Sequence, residues 1–292
     1  ITHDNQRILV DCGLYQGVKK LRLRNWKSFP VDPKTINAVV LTHAHIDHSG
    51  YVPALRKRGF KGPVYCTQGT YDLCKILLPD SGFLQEEDAR YANKKKFSRH
   101  SPAMPLYTEK DAIESLKLFK PIEYHESIKV TKQITATFTP VGHILGSSAV
   151  QIKAGGKIIT FSGDVGRTED LVMCSPEPLK QTDYLVTEST YGNRTHDKTD
   201  PFEFFKAIIN KTVERGGIVL FPSFAVGRTQ TILYIIQLLK DRNEIPDVPV
   251  YLNSPMAITA TEIYCRHHKD HRLTSEECTK IDKETHFVRT PD

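Results

Sequence analysis

Long apolar runs are missing from this 292-residue chain. The longest candidate, Ile232–Leu239, is interrupted by Gln237 and falls far short of the roughly 18 residues a membrane span needs, so no membrane partner is expected. Cysteine is sparse. The six thiols, at 12, 66, 74, 174, 265 and 278, include no C-x-x-C pair and follow no regular spacing. They read as reduced, mostly buried thiols of a cytoplasmic protein rather than as a disulfide framework. Repeats and low-complexity tracts are absent, and 39% hydrophobic with 25% charged residues excludes a disordered polymer. Neither charge dominates: the net +6 permits an anionic partner without requiring one. The length suits about two domains of ordinary size. Because the chain starts at Ile1 and enters a strand pattern at once, a fragment of a longer protein is expected.

What is present is an alternation of short apolar strands with amphipathic helices. Strands are predicted at 8–11, 38–42, 64–66, 134–139, 149–154, 157–162, 184–188, 218–221 and 250–253, where Val, Ile, Thr and aromatic residues dominate. Gly155-Gly156 between two alternating runs marks a hairpin. Helices are predicted at 49–57, 71–77, 85–96, 109–119, 201–215, 227–240, 256–268 and 275–283. Thr108 with Asp111, and Thr274 with Glu277, have the spacing of a helix-capping box. Strands and hairpins predominate before Tyr191. Beyond it strand and helix alternate regularly, as in a parallel α/β sheet, which puts a domain boundary near Asn193. The basic cluster Lys94-Lys95-Lys96 with Arg99 and His100 reads as a solvated helix end.

The densest chemistry lies in Thr42-His43-Ala44-His45-Ile46-Asp47-His48-Ser49-Gly50. At this chain's His and Asp frequencies, H-x-H-x-D-H arises by chance about once in a thousand such chains. The cluster follows an apolar strand, where alternate residues share a side, so His43 and His45 face one way. Imidazole and carboxylate suit zinc. So short a loop cannot easily wrap all four donors around one ion, so two adjacent ions are the economical arrangement. Burying three imidazoles together without metal would leave polar nitrogens unsatisfied at about 1–3 kcal/mol each. Two later turns add donors. Gly142-His143-Ile144-Leu145-Gly146 lies between two strands, and Ser162-Gly163-Asp164-Val165-Gly166 follows another.

With these motifs in order, the sequence resembles the metallo-β-lactamase superfamily, with Asp11 in Val10-Asp11-Cys12-Gly13 matching its first motif. Val186-Thr187-Glu188-Ser189-Thr190-Tyr191-Gly192-Asn193-Arg194 resembles motif A of the β-CASP branch, which includes RNase J and the cleavage-and-polyadenylation endonuclease. Phe221-Pro222-Ser223-Phe224-Ala225-Val226-Gly227-Arg228 resembles the opening of that branch's cap. Leu78-Pro79-Asp80-Ser81 followed by Gln85-Glu86-Glu87 resembles its RNA-acting members.

The resemblance implies an α/β fold, an αββα sandwich over residues 1–193 followed by part of an α/β cap over 194–292. It also implies N-terminal strands before Ile1 and a return segment after Asp292, carrying one further metal ligand and one catalytic His. Two Zn2+ are implied: one on His43, His45 and His143, the other on Asp47 and His48, bridged by Asp164. Asp47, Asp164 and Glu188 would be catalytic, with Asp11 and Glu188 supporting the ligands from behind. Glu188 would be hydrogen-bonded to a ligand His or to the attacking water. Ser223 and Arg228 are candidate phosphate contacts. The implied activity is hydrolysis of RNA phosphodiester bonds by a two-metal-activated hydroxide, on single-stranded RNA, with a homodimer allowed. Alternatives are a DNA nuclease, thioesterase or lactonase of the same superfamily, or a non-catalytic RNA-binding paralogue. His267, His268, His271 and His286 read as a polar helix and its sequel.

Overall fold

A computed structural model describes residues 1–98, 100–195 and 199–289; of the basic cluster above, Arg99 lies outside them. The chain forms two units. One comprises Ile1–Gly166 and Pro176–Glu188, the other Arg167–Ser175 and Ser189–Asp292.

The first unit opens with strands β1 (Thr2–His3), β2 (Gln6–Val10) and β3 (Ala38–Val40), with helix α1 (Lys19–Arg22) between the last two. Helices α2 (Ile46–Ser49) and α3 (Val52–Lys57) follow, then β4 (Val64–Thr67), α4 (Gln68–Lys95), α5 (Glu109–Leu116) and β5 (Phe119–Ile122). These strands make a sheet in the order β1-β2-β3-β4-β5, parallel from β2 onward. The second sheet, in the order β10-β9-β8-β7-β6, consists of β6 (Ser127–Lys129), β7 (Ile134–Pro140), β8 (Ser148–Ala154), β9 (Lys157–Phe161) and β10 (Tyr184–Val186). It is antiparallel except for β10, which runs parallel to β9.

Alternation makes the two sheets a sandwich. Ile8, Ala38 and Val40 from the first pack against Ile134, Ala136, Phe138, Val150 and Ile152 from the second, all buried. Every second residue of β7 and β8 supplies that layer, as a period of two requires. Helices α4 and α5 pack on one another, and α4 packs on β4 and β5. The mixed α/β architecture is that of the expected fold class.

The second unit holds α6 (Pro201–Glu214), α7 (Arg228–Asp241), β11 (Val250–Leu252), α8 (Pro255–Arg266), α9 (Ser275–Glu284) and β12 (Thr285–Phe287). Strands β11 and β12 pair in parallel. Ile209 of α6 and Ile235, Ile236 and Leu239 of α7 form its core with Ile245.

Three local expectations fail. Residues 218–221 are extended but in no strand; Val219 and Phe221 pack on the core, while Ile218 and Leu220 are 93% and 84% exposed. The sequence has strand alternation there, but no neighbouring strand pairs with it among the described residues. The helices expected at 71–77 and 85–96 are one 28-residue helix running through Pro79. Proline removes one helical hydrogen bond there, and burial of Leu78 and Gly82 holds the flanking turns in place. Strands β1, β5, β6 and β12 carry too few apolar residues to stand out in sequence. No helix of the described residues is long and apolar enough to cross a membrane.

Candidate metal centre

Five sequence-predicted segments converge at one end of the sandwich, each just beyond a strand. Asp11 follows β2, the His43–His48 loop follows β3, His143 follows β7, Asp164 follows β9 and Glu188 follows β10. The sheets are tied together here, because Ser148 donates both its N–H (2.9 Å) and its hydroxyl (3.0 Å) to the Thr42 carbonyl.

A strap along residues 11–14 fixes the histidine loop. Cys12 N–H donates to His48 O at 2.7 Å and Leu14 N–H to Ile46 O at 2.9 Å. Gly13 is required by this approach: a β-carbon there would stand 1.5 Å from the Asp47 carbonyl oxygen. Gly163, before Asp164, has φ of +56° and passes so close to Thr42 that a β-carbon would lie 2.8 Å from Thr42 Cβ.

The donors form two groups that share one carboxylate. His45 Nδ1 lies 3.1 Å from His43 Nε2 and 3.2 Å from His143 Nε2. Asp164 Oδ2 stands 3.4 Å from His143 Nε2 and 3.8 Å from His43 Nε2. One ligand atom from each of these four residues falls within 4.8 Å of all the others. On the other side, Asp164 Oδ1 is 3.4 Å and Asp47 Oδ2 is 3.9 Å from His48 Nε2. Nitrogen donors on a tetrahedral ion with Zn–N bonds of about 2.0–2.1 Å stand about 3.3 Å apart. The imidazole spacings therefore fit a shared ion, and the donor chemistry fits zinc.

Asp11, with φ of +59°, organises both groups from behind. Its Oδ1 accepts Thr42 N–H at 2.7 Å; its Oδ2 accepts the Thr42 hydroxyl at 2.8 Å and His48 Nδ1–H at 2.7 Å. Since the Thr42 proton goes to Asp11, Thr42 Oγ1 is left to accept His43 Nδ1–H at 3.0 Å. One carboxylate thus sets the tautomer of two imidazoles and turns the Nε2 lone pair of each inward. Thr42 is the residue that sequence reasoning left without a role; its place directly before the motif was the only available signal.

Burial holds the His43 imidazole well below its ordinary range, reinforced by the neighbouring imidazoles. Burial, with His143 beside it, pulls His45 down to about 4. Both nitrogen sets are therefore neutral and available as ligands. For His48, burial works against the charged form, but hydrogen bonds to Asp11 and Asp164 win and push it up to about 10. A cation held at its Nε2 would take the place of that second proton. The bond from His48 also holds the Asp164 carboxyl below its usual range.

Glu188 sits beside the centre. Its Oε1 accepts Val165 N–H at 2.7 Å, one residue beyond Asp164, and its own N–H donates to Ser162 Oγ at 3.1 Å. Its charge is among those acting on His143. The side chain thus holds the loop that presents Asp164. In the second unit, Arg228 is exposed at the start of α7. Ser223 donates its hydroxyl to Thr229 Oγ1 at 2.8 Å.

The four C-terminal histidines do not form a uniform polar face. His268 is exposed and His286 stacks on Tyr251 at 4.8 Å, but His271 is only 4% exposed and engages both ring nitrogens. Its burial follows from the docking of the Arg167–Ser175 segment, with Met173 paired to His271.

A two-sheet sandwich with a histidine–carboxylate cluster at its strand ends is the signature of one class of metallohydrolase fold. The Metallo-beta-lactamase superfamily pattern matches residues 1–278, and the chain belongs to that superfamily. Among curated relatives, it is 36% identical over 262 residues to ribonuclease TTHA0252 of Thermus thermophilus, covering 89% of this chain and 56% of the relative. It is 34% identical to transcription termination factor FttA of Methanosarcina mazei, over 89% of this chain and 40% of that protein. It is 30% identical to cleavage and polyadenylation specificity factor 73 of Drosophila melanogaster, over 89% and 36% respectively. The chain thus spans about half the length, or less, of these relatives.

Proposed function

We propose that this chain provides the metal centre and part of the cap of a zinc-dependent ribonuclease of the β-CASP branch, acting on single-stranded RNA with two ions. The observation that carries the reading is the Asp164 carboxylate. One oxygen faces His43 and His143, the other faces His48. A carboxylate divided between two donor groups is what a pair of ions needs as a bridge. The relatives named above, a ribonuclease and a cleavage factor among them, support RNA as the substrate.

His43, His45 and His143 would hold one ion, Asp47 and His48 the other, with Asp164 between them. Bound together, such ions supply a water acidified for attack and positive charge for the phosphate oxygens. The chain's own residues orient that centre. Asp11 keeps His43, through Thr42, and His48 in ligand-ready tautomers. Glu188 fixes the Asp164 loop through Val165. The exposed guanidinium of Arg228 at a helix start is suited to a backbone phosphate. Labelled RNA, DNA and thioester or lactone substrates, assayed side by side with the full-length protein, with and without chelator, test the reading. Chelator-sensitive cleavage of single-stranded RNA is expected, and faster turnover of the small esters would overturn it.

A further inference from the structure

The second unit holds another constellation, built on sulfur. We propose that Cys265, His268, His271 and Cys278 form a separate structural site for a thiophilic divalent ion, zinc above all, joining α8 to α9. The four stand in the order C-x-x-H-x-x-H-x6-C. Cys265 lies in the last turn of α8, the two histidines in the connection, and Cys278 near the start of α9. One donor atom each from His268, His271 and Cys278 falls within 4.8 Å of the others. The Cys265 thiol stands outside that group of three but is hydrogen-bonded to the Cys278 thiol, which puts a fourth donor beside it. Two thiols and two imidazoles are the donor set of tetrahedral structural zinc.

The surroundings match such a role. His271 is buried and donates Nε2–H to the Tyr264 carbonyl at 2.7 Å. That is the anchoring metal-bound imidazoles use, and it leaves the lone pair on Nδ1. Nδ1 accepts Leu273 N–H at 3.1 Å, the contact an ion displaces. His268 makes a long 3.4 Å contact to Ser275 Oγ. A cavity of about 400 Å³ lined by Cys265, His268, Ser275 and Cys278 gives an entry route. The connection is held in place before any ion arrives. Arg272 N–H donates to Val172 O at 2.7 Å, and its guanidinium to Met173 O at 2.9 Å and Ser175 Oγ at 2.8 Å. An ion here would staple α8, α9 and the Arg167–Ser175 segment.

Cobalt(II) distinguishes this site from the His/Asp centre, whose donors include no sulfur. Cobalt titrated into the reduced, metal-free full chain is expected to produce a thiolate-to-cobalt charge-transfer band with intense tetrahedral d–d absorption. Zinc should abolish both. The signal should persist in His43→Ala and disappear in a Cys265→Ser/Cys278→Ser double variant. Should that variant misfold, the wild-type chain still decides: zinc should protect Cys265 and Cys278 from alkylation, mapped by mass spectrometry. Absence of the band in the wild type, its persistence in the double variant, unprotected thiols, or a Cys265–Cys278 disulfide in protein purified under reducing conditions overturns the proposal.

Discussion

Thr42 shows how much of the centre's order rests on one hydroxyl. It accepts a hydrogen bond from His43 Nδ1–H and donates its own hydroxyl to Asp11, so removing it leaves both partners without that bond. Thr42→Val keeps the shape and should weaken metal binding about 10–100-fold, the range for lost supporting contacts. Competition with a chromophoric chelator measures this; unchanged affinity would show that His43 needs no such anchor. At Asp47 the expectation differs in kind. Its carboxylate is the most exposed of the donors and belongs to the smaller group with His48. Asp47→Ala should lower RNA cleavage by ~10³-fold or more, while RNA affinity, set by dispersed phosphate contacts, stays nearly intact. The donors were legible in sequence because three His and one Asp in the spacing H-x-H-x-D-H are improbable otherwise. The resemblance put Asp11 and Glu188 behind the ligands, but the atoms they bond were not legible, because Asp11 meets His48 across 37 positions and Glu188 meets Val165 across 23. Such pairings follow from strand order, which local spacing does not encode.

Elements were legible where the local signal was strong. Both expected capping boxes formed, at Thr108–Asp111 and Thr274–Glu277, because the residues that make them lie within one turn. Thr108→Ala should therefore cost about 1 kcal/mol of stability in chemical denaturation, and no change would mean that α5 is held by packing alone. Helix α4 was misread because proline is a local stop signal, and tertiary packing outweighed it at Pro79. The segment at 218–221 was misread for the opposite reason: the alternation is present, but strand formation needs a neighbour. The strap opposite α2 gives a sharper test of packing. Gly13→Ala forces backbone apart at Asp47 and should destabilise the first unit by about 1–3 kcal/mol, with loss of metal affinity. A stable, metal-binding Gly13→Ala protein would show that the strap moves freely.

For the whole molecule, the net charge of +6 is modest, so RNA affinity should depend on placed cations rather than on bulk attraction. Arg228→Ala should weaken RNA binding and flatten its salt dependence while metal content is unchanged; equal salt slopes for variant and wild type would remove Arg228 from the RNA path. The proposed function rests on metal-dependent cleavage of RNA at the His/Asp centre. The measurement that bears on it most directly compares single-stranded RNA cleavage by the zinc-loaded full-length protein and by its Asp47→Ala variant, with binding followed in parallel. The expected result is a chelator-sensitive rate that falls ~10³-fold or more in the variant while RNA remains bound. An Asp47→Ala protein that cuts RNA at a near wild-type rate would contradict it.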